Sequence, residues 1–311
     1  MKRVDGHQNV ANDGAAIVAI GNFDGVHLGH RALLQRARAI ADARGGRVAV
    51  LTFDPHPAAV LAPHALPPML ASLDRRVELL GECGADVVVV EPFTRELAAA
   101  SATAFIEDIV VGSLGATAIV VGYDFAYGAG RTGTVDSLRS HGAALGIEVD
   151  IVPAVEVGGE IASSTRIRNH LLDGDSLAAA RLLGRAWDID GVVVHGAKRG
   201  RTIGVPTANV RPSGELVIRP GIYAVQLEID PSLGVTLPAV ASYGKNPTFV
   251  QGGELVLEVH VLDWDGDLYD RRVRTKFAAR LRDEAVFTST DALIEQIRAD
   301  IAAARAILTR E

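Results

Sequence analysis

The first 186 residues alternate short apolar runs with stretches of helical period. The apolar runs occupy residues 15–20, 48–53, 86–90, 116–121 and 147–152. Segments that are rich in alanine and spaced like amphipathic helices lie between them. Such runs are typical of strands buried on both faces, and their alternation with helices is typical of βαβ units. The pattern predicts a Rossmann-like α/β domain built on a parallel sheet.

The pattern changes after Trp187, where strand-like segments separated by turn residues dominate. These segments occupy residues 189–195, 221–228, 237–243, 255–262 and 272–277. They predict an antiparallel barrel or sandwich. A final amphipathic segment places Leu293, Ile297, Ile301 and Ala304 on one stripe, which predicts a terminal helix covering that structure. We place the boundary close to residues 184–187, which gives domains 1–186 and 187–311.

Composition narrows the class of protein. A length of 311 residues suits two domains, and 48% hydrophobic residues predict well-packed cores. The net charge of −7 argues against a nucleic-acid surface. Cys83 is the only cysteine, so we expect neither disulfides nor a CxxC metal site, and a reducing cytoplasm fits. Residues 1–12 lack the apolar core of a signal peptide, and no apolar run is long enough to span a membrane.

The segment GNFDGVHLGH, residues 21–30, joins the first apolar run to the first helical stretch. His27 and His30 are three residues apart near the first helical turn, so we expect their side chains to face the same way. Backbone N–H groups and the helix dipole favour an anion there, and Gly29 leaves room for phosphate oxygens. Two histidines that only cap or pack the helix are the alternative. We interpret the segment as a phosphate site.

Further polar segments follow other predicted strands. TFDPHP comes after the second strand, GYDFAYG after the strand ending at Val121, and SSTRIR opens the helix after the last strand. Ligands of open parallel sheets bind beyond the carboxyl ends of the strands. Ser163 or Ser164 can cap that helix, while Arg166 and Arg168 can neutralise a triphosphate. Taken singly, the prolines around His56 need only shape a turn, and these arginines need only be solvated.

Residues 128–133 match the GxGxxG pattern of dinucleotide-binding proteins. The glycines begin six residues after Gly122 instead of directly after the strand. This spacing disfavours a Rossmann cofactor site, and the sequence has no Walker A motif.

A second constellation follows the first strand of the other half. Residues 196–209, GAKRGRTIGVPTAN, combine three glycines with three cations, as in loops that wrap phosphates with backbone amides. Thr207 and Asn209 alternate with Ala208, so in an extended segment their oxygens point to one side, where Mg²⁺ could be held. Glu258 interrupts an apolar strand and could accept the proton of an attacking hydroxyl. An outward-facing glutamate that shares a face with His260 is the alternative.

Together these motifs resemble those of the bacterial bifunctional riboflavin kinase and FMN adenylyltransferase family, also called FAD synthetases. GNFDGVHLGH, TFDPHP, GYDFAYG and SSTRIR resemble the adenylyltransferase motifs. HGAKRGRTIGVPTANV, PGIYAV, GKNPTF, LEVHVLD, GDLY and LRDE resemble those of the kinase module, all in family order. The resemblance covers nearly the whole chain. It implies a nucleotidyltransferase domain of α/β fold followed by a kinase domain that is an antiparallel β-barrel with a terminal helix.

The resemblance implies a role for each motif residue. In the first domain, His27 and His30 would be catalytic, and ATP or its phosphates would be bound by Asn22, Phe23, Gly25, Gly29, Ser164, Thr165, Arg166 and Arg168. In the second, Glu258 would be the catalytic base and Thr207 and Asn209 would hold the metal, with ATP bound by Gly196, Lys198, Gly200, Arg201 and Gly204. Flavin contacts are expected from Asp124, Phe125, Tyr127 and Arg282.

The implied reactions use ATP as substrate with Mg²⁺. Riboflavin would be phosphorylated to FMN, and FMN adenylylated to FAD with release of pyrophosphate. We expect no tightly bound prosthetic group, no nucleic-acid or membrane partner and no obligate protein partner. Three positions depart from the family pattern: Val205 and Tyr127 stand where Phe is common, and Asp270 stands where Gly usually follows GDLY.

Other functions stay open from the sequence. A nucleotidyltransferase acting on another phosphorylated cofactor precursor would fit the first half alone. A class I aminoacyl-tRNA synthetase also uses an HxGH helix start, but no KMSKS-like loop and no basic tRNA surface are present. A non-catalytic flavin carrier would have no need of His27, His30 and Glu258.

Overall fold

A computed structural model describes residues 1–11, 14–196, 204–245 and 255–309. The chain forms two compact units. One unit comprises residues 1–68 and 73–163, and the other comprises residues 69–72 and 164–311.

The first unit is built on a parallel sheet of six strands with the order β1-β4-β3-β2-β5-β6. The strands are β1 (Lys2–Asp5), β2 (Ala16–Ile20), β3 (Arg47–Asp54), β4 (Val87–Pro92), β5 (Ala116–Gly122) and β6 (Glu148–Val152). All five residues of β2 are buried, because alternate side chains enter hydrophobic clusters on opposite faces of the sheet. The predicted α/β fold with a parallel sheet is confirmed.

Helices connect these strands. They are α1 (Leu28–Arg44), α2 (Pro57–Leu61), α3 (Leu73–Glu82), α4 (Arg95–Ala99), α5 (Ala102–Ala104), which continues as a π-helix (Phe105–Ser113), and α6 (Val135–Leu145). A short hairpin of β7 (Glu156–Val157) and β8 (Glu160–Ile161) closes the unit. Helix α1 buries Leu33, Leu34, Ala37, Ile40 and Ala41, which form its apolar stripe.

The second unit contains a closed antiparallel barrel with the strand order β10-β13-β12-β11-β14-β9. Its strands are β9 (Trp187–Val194), β10 (Ala208–Pro212), β11 (Gly221–Ile229), β12 (Val235–Lys245), β13 (Leu255–Val261) and β14 (Arg272–Arg282). Trp187, Tyr223 and Phe277 form an aromatic core with ring centroids 5.3 Å apart in each contact. The barrel is confirmed, and a sandwich is excluded because the strand pairing closes on itself.

Helices α7 (Ser164–Asp173) and α8 (Ser176–Leu183) precede the barrel, and α9 (Thr290–Leu308) ends the described chain. The terminal helix begins where Ser289 accepts a hydrogen bond from the amide of Ala292, and it contacts β11, β12 and β14 as its apolar stripe predicts. The compact units divide at residues 163/164, so α7 and α8 belong with the barrel by contacts. The boundary at residues 186/187 stays a prediction.

No helix in the described ranges is long and apolar enough to cross a membrane.

Candidate active sites

Three of the polar segments found in the sequence leave the sheet at one edge. Strand β2 pairs with β3 on one side and β5 on the other, and all run parallel. The segments after these strands, which carry Asn22 to His30, His56, and Asp124 to Tyr127, therefore start from neighbouring carboxyl ends. The structure places these candidate residues at the same edge, as the sequence predicts.

His27 caps the first helix of the sheet. Its ring Nδ1 accepts a hydrogen bond from the amide of Gly29 at 3.1 Å. A ring nitrogen that accepts carries no proton, so the neutral imidazole holds its proton on Nε2. A Cβ on Gly29 would lie 3.0 Å from the ring of His27 and 3.4 Å from the carbonyl of Ala162. Glycine is therefore needed for this close approach, and its amide is directed to His27 rather than toward a phosphate.

His30 stacks on His27. The ring centroids are 3.7 Å apart with an interplanar angle of 21°, and Phe23 meets His30 edge-on at 5.1 Å. Burial lowers the pKa of His30 well below its usual value, and the nearby His27 and Arg76 lower it further. Its Nδ1 is buried and has no hydrogen-bond partner among the described residues. His30 is therefore a neutral imidazole at physiological pH.

The segment between β2 and α1 has an unusual backbone. Phe23 and Val26 have φ of 52° and 43°, in the left-handed region, and both side chains are fully buried. Gly25, between them, has φ of 77°. Because the ring of Phe23 is buried against His30, the predicted ATP contact of Phe23 is left to its backbone. The segment holds the two imidazoles at the cost of local strain.

Asn22 is anchored through both its backbone and its side chain. Its carbonyl accepts hydrogen bonds from Thr52 Oγ1 at 3.2 Å and from Arg76 Nη1 at 3.0 Å. Its carboxamide lies 3.3 Å from Nε2 of His56. Arg76 also donates to the carbonyl of Phe53 at 3.1 Å, so one guanidinium joins the ends of β2 and β3.

Arg76 was not predicted from the sequence as a site residue. It is 2% exposed, and burial lowers its pKa while Asp24 and Asp54 act in the opposite direction. The carboxylate of Asp54 lies 3.7 Å away. Arg75 and Arg76 are both buried, and nothing in the sequence shows that Arg76 binds the carbonyls of Asn22 and Phe53.

A row of aromatic side chains follows the same edge of the sheet. The ring contacts run from Phe93 to Phe53, Phe105, Tyr127 and Phe125, with centroids 5.4 to 6.4 Å apart. Phe53, Phe105 and Tyr127 are buried in the core of the unit, and Phe93 and Phe125 are partly buried against it. Phe125 and Tyr127 were predicted as flavin contacts, whereas the other three were not. Asp124, also predicted, is exposed beside them.

Two glycines of the GxGxxG pattern allow close packing, one of them against the aromatic row. A Cβ on Gly133 would lie 2.6 Å from the ring of Tyr127, and a Cβ on Gly128 would lie 2.6 Å from the backbone of Ala102. The segment forms a 3₁₀ turn at Ala129–Arg131 instead of a strand-to-helix turn. Close packing explains Gly128 and Gly133, whereas Gly130 has nothing near its Cβ position and has a φ of 60°.

Helix α7 carries Ser164, Thr165, Arg166 and Arg168. It belongs to the second compact unit, so the predicted convergence of these four residues with His27 stays a prediction. Arg168 is buried, with 8% exposure, and is therefore not a merely solvated arginine.

The polar residues of the barrel meet where β10 and β13 pair. Asn209 lies directly opposite Glu258 in the register, so their side chains share a face. The hydroxyl of Thr207 donates to Oε2 of Glu258 at 3.2 Å. A Cβ on Gly196 would overlap the carboxamide of Asn209, so a larger residue there would displace that side chain. The structure thus brings together Thr207, Asn209, Glu258 and Gly196.

His260 fixes the segment in front of Thr207, a role that its sequence position did not reveal. Its Nδ1–H donates to the carbonyl of Pro206 at 2.7 Å. Burial along β13 alternates, with Leu257, Val259 and Val261 inside, so Glu258 and His260 share the other face.

A cavity of about 490 Å³ opens beside Thr207. Val193, Ala208, Val259 and Val261 line its apolar side, and residues 264–269 line the rest. The volume lies within the usual range for small-molecule sites. Thr207 borders the cavity and contacts Glu258.

The remaining candidate residues of the second unit are Arg282, Gly204 and three residues that the structure does not describe. Arg282 is paired with Asp300 of α9 at 2.7 Å, and its guanidinium lies over the ring of Phe287, so it is engaged in structural contacts. Gly204 has φ of 77°, with nothing near its Cβ position. Lys198, Gly200 and Arg201 lie outside the described residues.

Comparison with known proteins agrees with the two-unit arrangement. The family model described as FAD synthetase matches residues 9–166, and the one described as riboflavin kinase matches residues 183–308. A bifunctional riboflavin kinase/FMN adenylyltransferase from Pseudomonas fluorescens is 42% identical over 99% of this chain and 98% of its own length. The chain belongs to the bifunctional riboflavin kinase/FMN adenylyltransferase family.

A second curated relative and a solved structure are also similar to this chain. The enzyme of the same description from Escherichia coli strain K12 is 39% identical over 98% of this chain and 97% of its own length. A solved structure from Streptococcus pneumoniae, described as a macrolide-efflux protein, has a TM-score of 0.89 and 32% identity, and the match covers 98% of this chain and 99% of that one. The predicted family is confirmed. A nucleotidyltransferase module alone would not account for the second family match.

Proposed function

We propose that the barrel unit phosphorylates riboflavin and that the α/β unit adenylylates the FMN so formed. The observation that carries this proposal is that two polar constellations lie in two separate compact units. One is the stacked His27 and His30, and the other is Glu258 with Thr207 and Asn209. Each suits one kind of phosphorus chemistry.

In the kinase step, Glu258 accepts the proton of the ribityl hydroxyl as its oxygen attacks the γ-phosphate of ATP. The products are FMN and ADP. The hydrogen bond from Thr207 keeps one carboxylate oxygen in place, and the other oxygen is the one that faces the hydroxyl. The cavity beside Thr207 suits an apolar planar group, and we assign it to ATP, whose phosphates then lie toward Thr207.

The donor set of this site fits Mg²⁺. Thr207 and Asn209 offer a hydroxyl and a carboxamide oxygen, and Mg²⁺ prefers oxygen ligands and few protein contacts when it accompanies a nucleotide. The hydroxyl of Thr207 donates a hydrogen bond to Glu258, so the lone pairs of its oxygen remain available to coordinate a cation. When bound, the ion would offset the negative charge of the phosphates. Gly196 allows the phosphate-binding segment to lie against Asn209.

In the adenylyl-transfer step, the phosphate of FMN attacks the α-phosphorus of a second ATP, and pyrophosphate leaves. The attacking oxygen is already ionised, so no strong base is required. Neutral imidazoles suit this step, because His27 and His30 donate N–H groups to the developing charge without a proton having to be lost. Asn22, Ser164, Thr165, Arg166 and Arg168 are assigned to the phosphates, with Gly25 and Gly29 shaping the segment.

The aromatic row supports a flavin site at the same edge. Phe125 stacks on the buried Tyr127 at 5.4 Å with an angle of 14°, and as the partly exposed ring of the pair it is the one suited to contact an isoalloxazine ring. Asp124 is assigned to polar atoms of the flavin. Arg282 is assigned to the flavin of the kinase step, where its pair with Asp300 would orient it.

The test is direct. The protein is incubated with riboflavin, ATP and Mg²⁺, and the flavins are separated by chromatography. FMN should form first and FAD later, and FMN with ATP should give FAD and pyrophosphate without riboflavin. No flavin product would overturn the proposal, whereas FMN without FAD would limit the activity to the barrel. A cytoplasmic location and the lack of a tightly bound prosthetic group stay predictions.

A further inference from the structure

A backbone hydrogen bond fixes the tautomer of His56, whose ring contacts the side chain of Asn22. Nδ1 of His56 accepts a hydrogen bond from the amide of Ala58 at 3.1 Å. The neutral ring therefore carries its proton on Nε2, and a doubly protonated ring would lose this cap. After the neighbouring strand β2, Nδ1 of His27 likewise accepts a hydrogen bond from the amide of Gly29 at 3.1 Å.

This tautomer determines the orientation of Asn22. Nδ2 of Asn22 lies 3.3 Å from Nε2 of His56, so two donors would face each other. Rotating the carboxamide by half a turn places Oδ1 at the same point, where it accepts the N–H of His56. The amide N–H₂ then occupies the other branch of the carboxamide.

We propose that His56 is a positioning residue of the adenylyl-transfer site, which fixes Asn22 so that its carboxamide presents N–H donors to phosphate oxygens of ATP. The inference rests on the proposed function. Among the residues that the structure describes, the other bonds of Asn22 are those of its carbonyl to Thr52 and Arg76, and these bonds do not set the side-chain rotamer. His56 acts through Asn22 and does not itself donate to the substrate.

A double-mutant cycle in the full-length protein tests this assignment. We expect His56→Ala to reduce FAD formation from FMN and ATP on the order of 10- to 10²-fold, since misplacing a binding group has this effect. In an Asn22→Ala background the same change should cost less than about 2-fold, because the coupled partner is already absent. His56→Gln should restore part of the activity, since its amide can donate to Oδ1. The exposed His64, in the same connection, provides the matched control His64→Ala.

Riboflavin phosphorylation by the same samples serves as a folding control, because the residues assigned to it lie in the other unit. Nitrogen-15 NMR of the wild-type protein gives a second readout that needs no variant, and the His56 ring should show the Nε2–H tautomer. An Nδ1–H tautomer, or equal losses from His56→Ala with and without Asn22, would overturn the assignment. No FAD from the wild type would overturn the proposed function as well, so the two failures are distinguishable.

Discussion

The hydroxyl of Thr207 donates a hydrogen bond of 3.2 Å to Oε2 of Glu258. This contact joins the base proposed for the kinase step to a residue proposed to hold the metal. Asn209 completes the group from the position directly opposite Glu258. The glutamate shares the outward face of β13 with His260, as the alternative considered from the sequence has it, and it is also part of a polar group.

Glu258→Gln should lower FMN formation by about 10²- to 10⁴-fold, the usual contribution of a general base. The amide keeps an oxygen that can accept from Thr207 but cannot take a proton from riboflavin. FAD formation from supplied FMN should be unchanged. Both rates are measured by chromatography of the flavins, with Glu295→Gln on the exposed side of α9 as the matched control. Equal loss of both activities in a folded variant would contradict the two-site assignment.

His27 should contribute to both stability and catalysis, and two variants separate these effects. His27→Ala removes the helix cap, which costs about 1 kcal/mol, and the Nε2–H donor, which costs on the order of 10²-fold in FAD formation. His27→Asn can still accept from Gly29 but lacks that donor. The midpoint of thermal unfolding should therefore fall in His27→Ala and change less in His27→Asn. The rate of FAD formation should fall in both variants, and the rate of FMN formation should fall in neither. Full FAD formation by His27→Asn would show that the cap alone matters.

Much of the fold follows from the sequence because its strands have simple patterns. Strand β2 is apolar throughout because both faces of the sheet are covered, and β13 alternates because only one face enters the barrel. Strand β1 was missed because Lys2, Arg3 and Asp5 are polar, and this edge strand buries only Val4. Edge strands need no apolar alternation.

The candidate sites divide in a similar way. Parallel strands share an edge for their carboxyl ends, so residues after β2, β3 and β5 could be grouped from the sequence. The contacts that orient them could not, because they join distant positions through tertiary packing. Arg76 lies 54 residues from Asn22, and its side chain enters the site from a helix that the sequence motifs do not include.

The lowered pKa of His30 should make stability depend on pH. Below its usual value of about 6.5, the unfolded chain binds a proton at His30 that the folded protein does not. The free energy of unfolding should therefore fall as the pH drops below about 6.5. His30→Gln should make this dependence flatter, whereas the exposed His64→Gln should not. Urea denaturation at about pH 7.5, 6.5 and 5.5 measures the slopes, and an unchanged slope in His30→Gln would refute the assignment.

Arg76 should be essential for FAD formation although it is buried beneath the site. Arg76→Met removes charged hydrogen bonds to the carbonyls of Asn22 and Phe53, and we expect at least about 2 kcal/mol of lost stability. The freed Asn22 should lower FAD formation, and Arg76→Lys should recover only part of it because an ammonium cannot reproduce the planar fork. Arg75→Met is the matched control.

Arg75 lies on the same helix, but it pairs with Glu78 and Glu82, whose side chains are 44% and 52% exposed. Arg75 is itself buried, so Arg75→Met should also lower stability, and the comparison of the two variants rests on FAD formation. Arg75→Met should leave FAD formation intact, because Arg76 would still donate to the carbonyls of Asn22 and Phe53. If both variants lost FAD formation equally, the helix as a whole, rather than the Arg76 guanidinium, would be what supports Asn22.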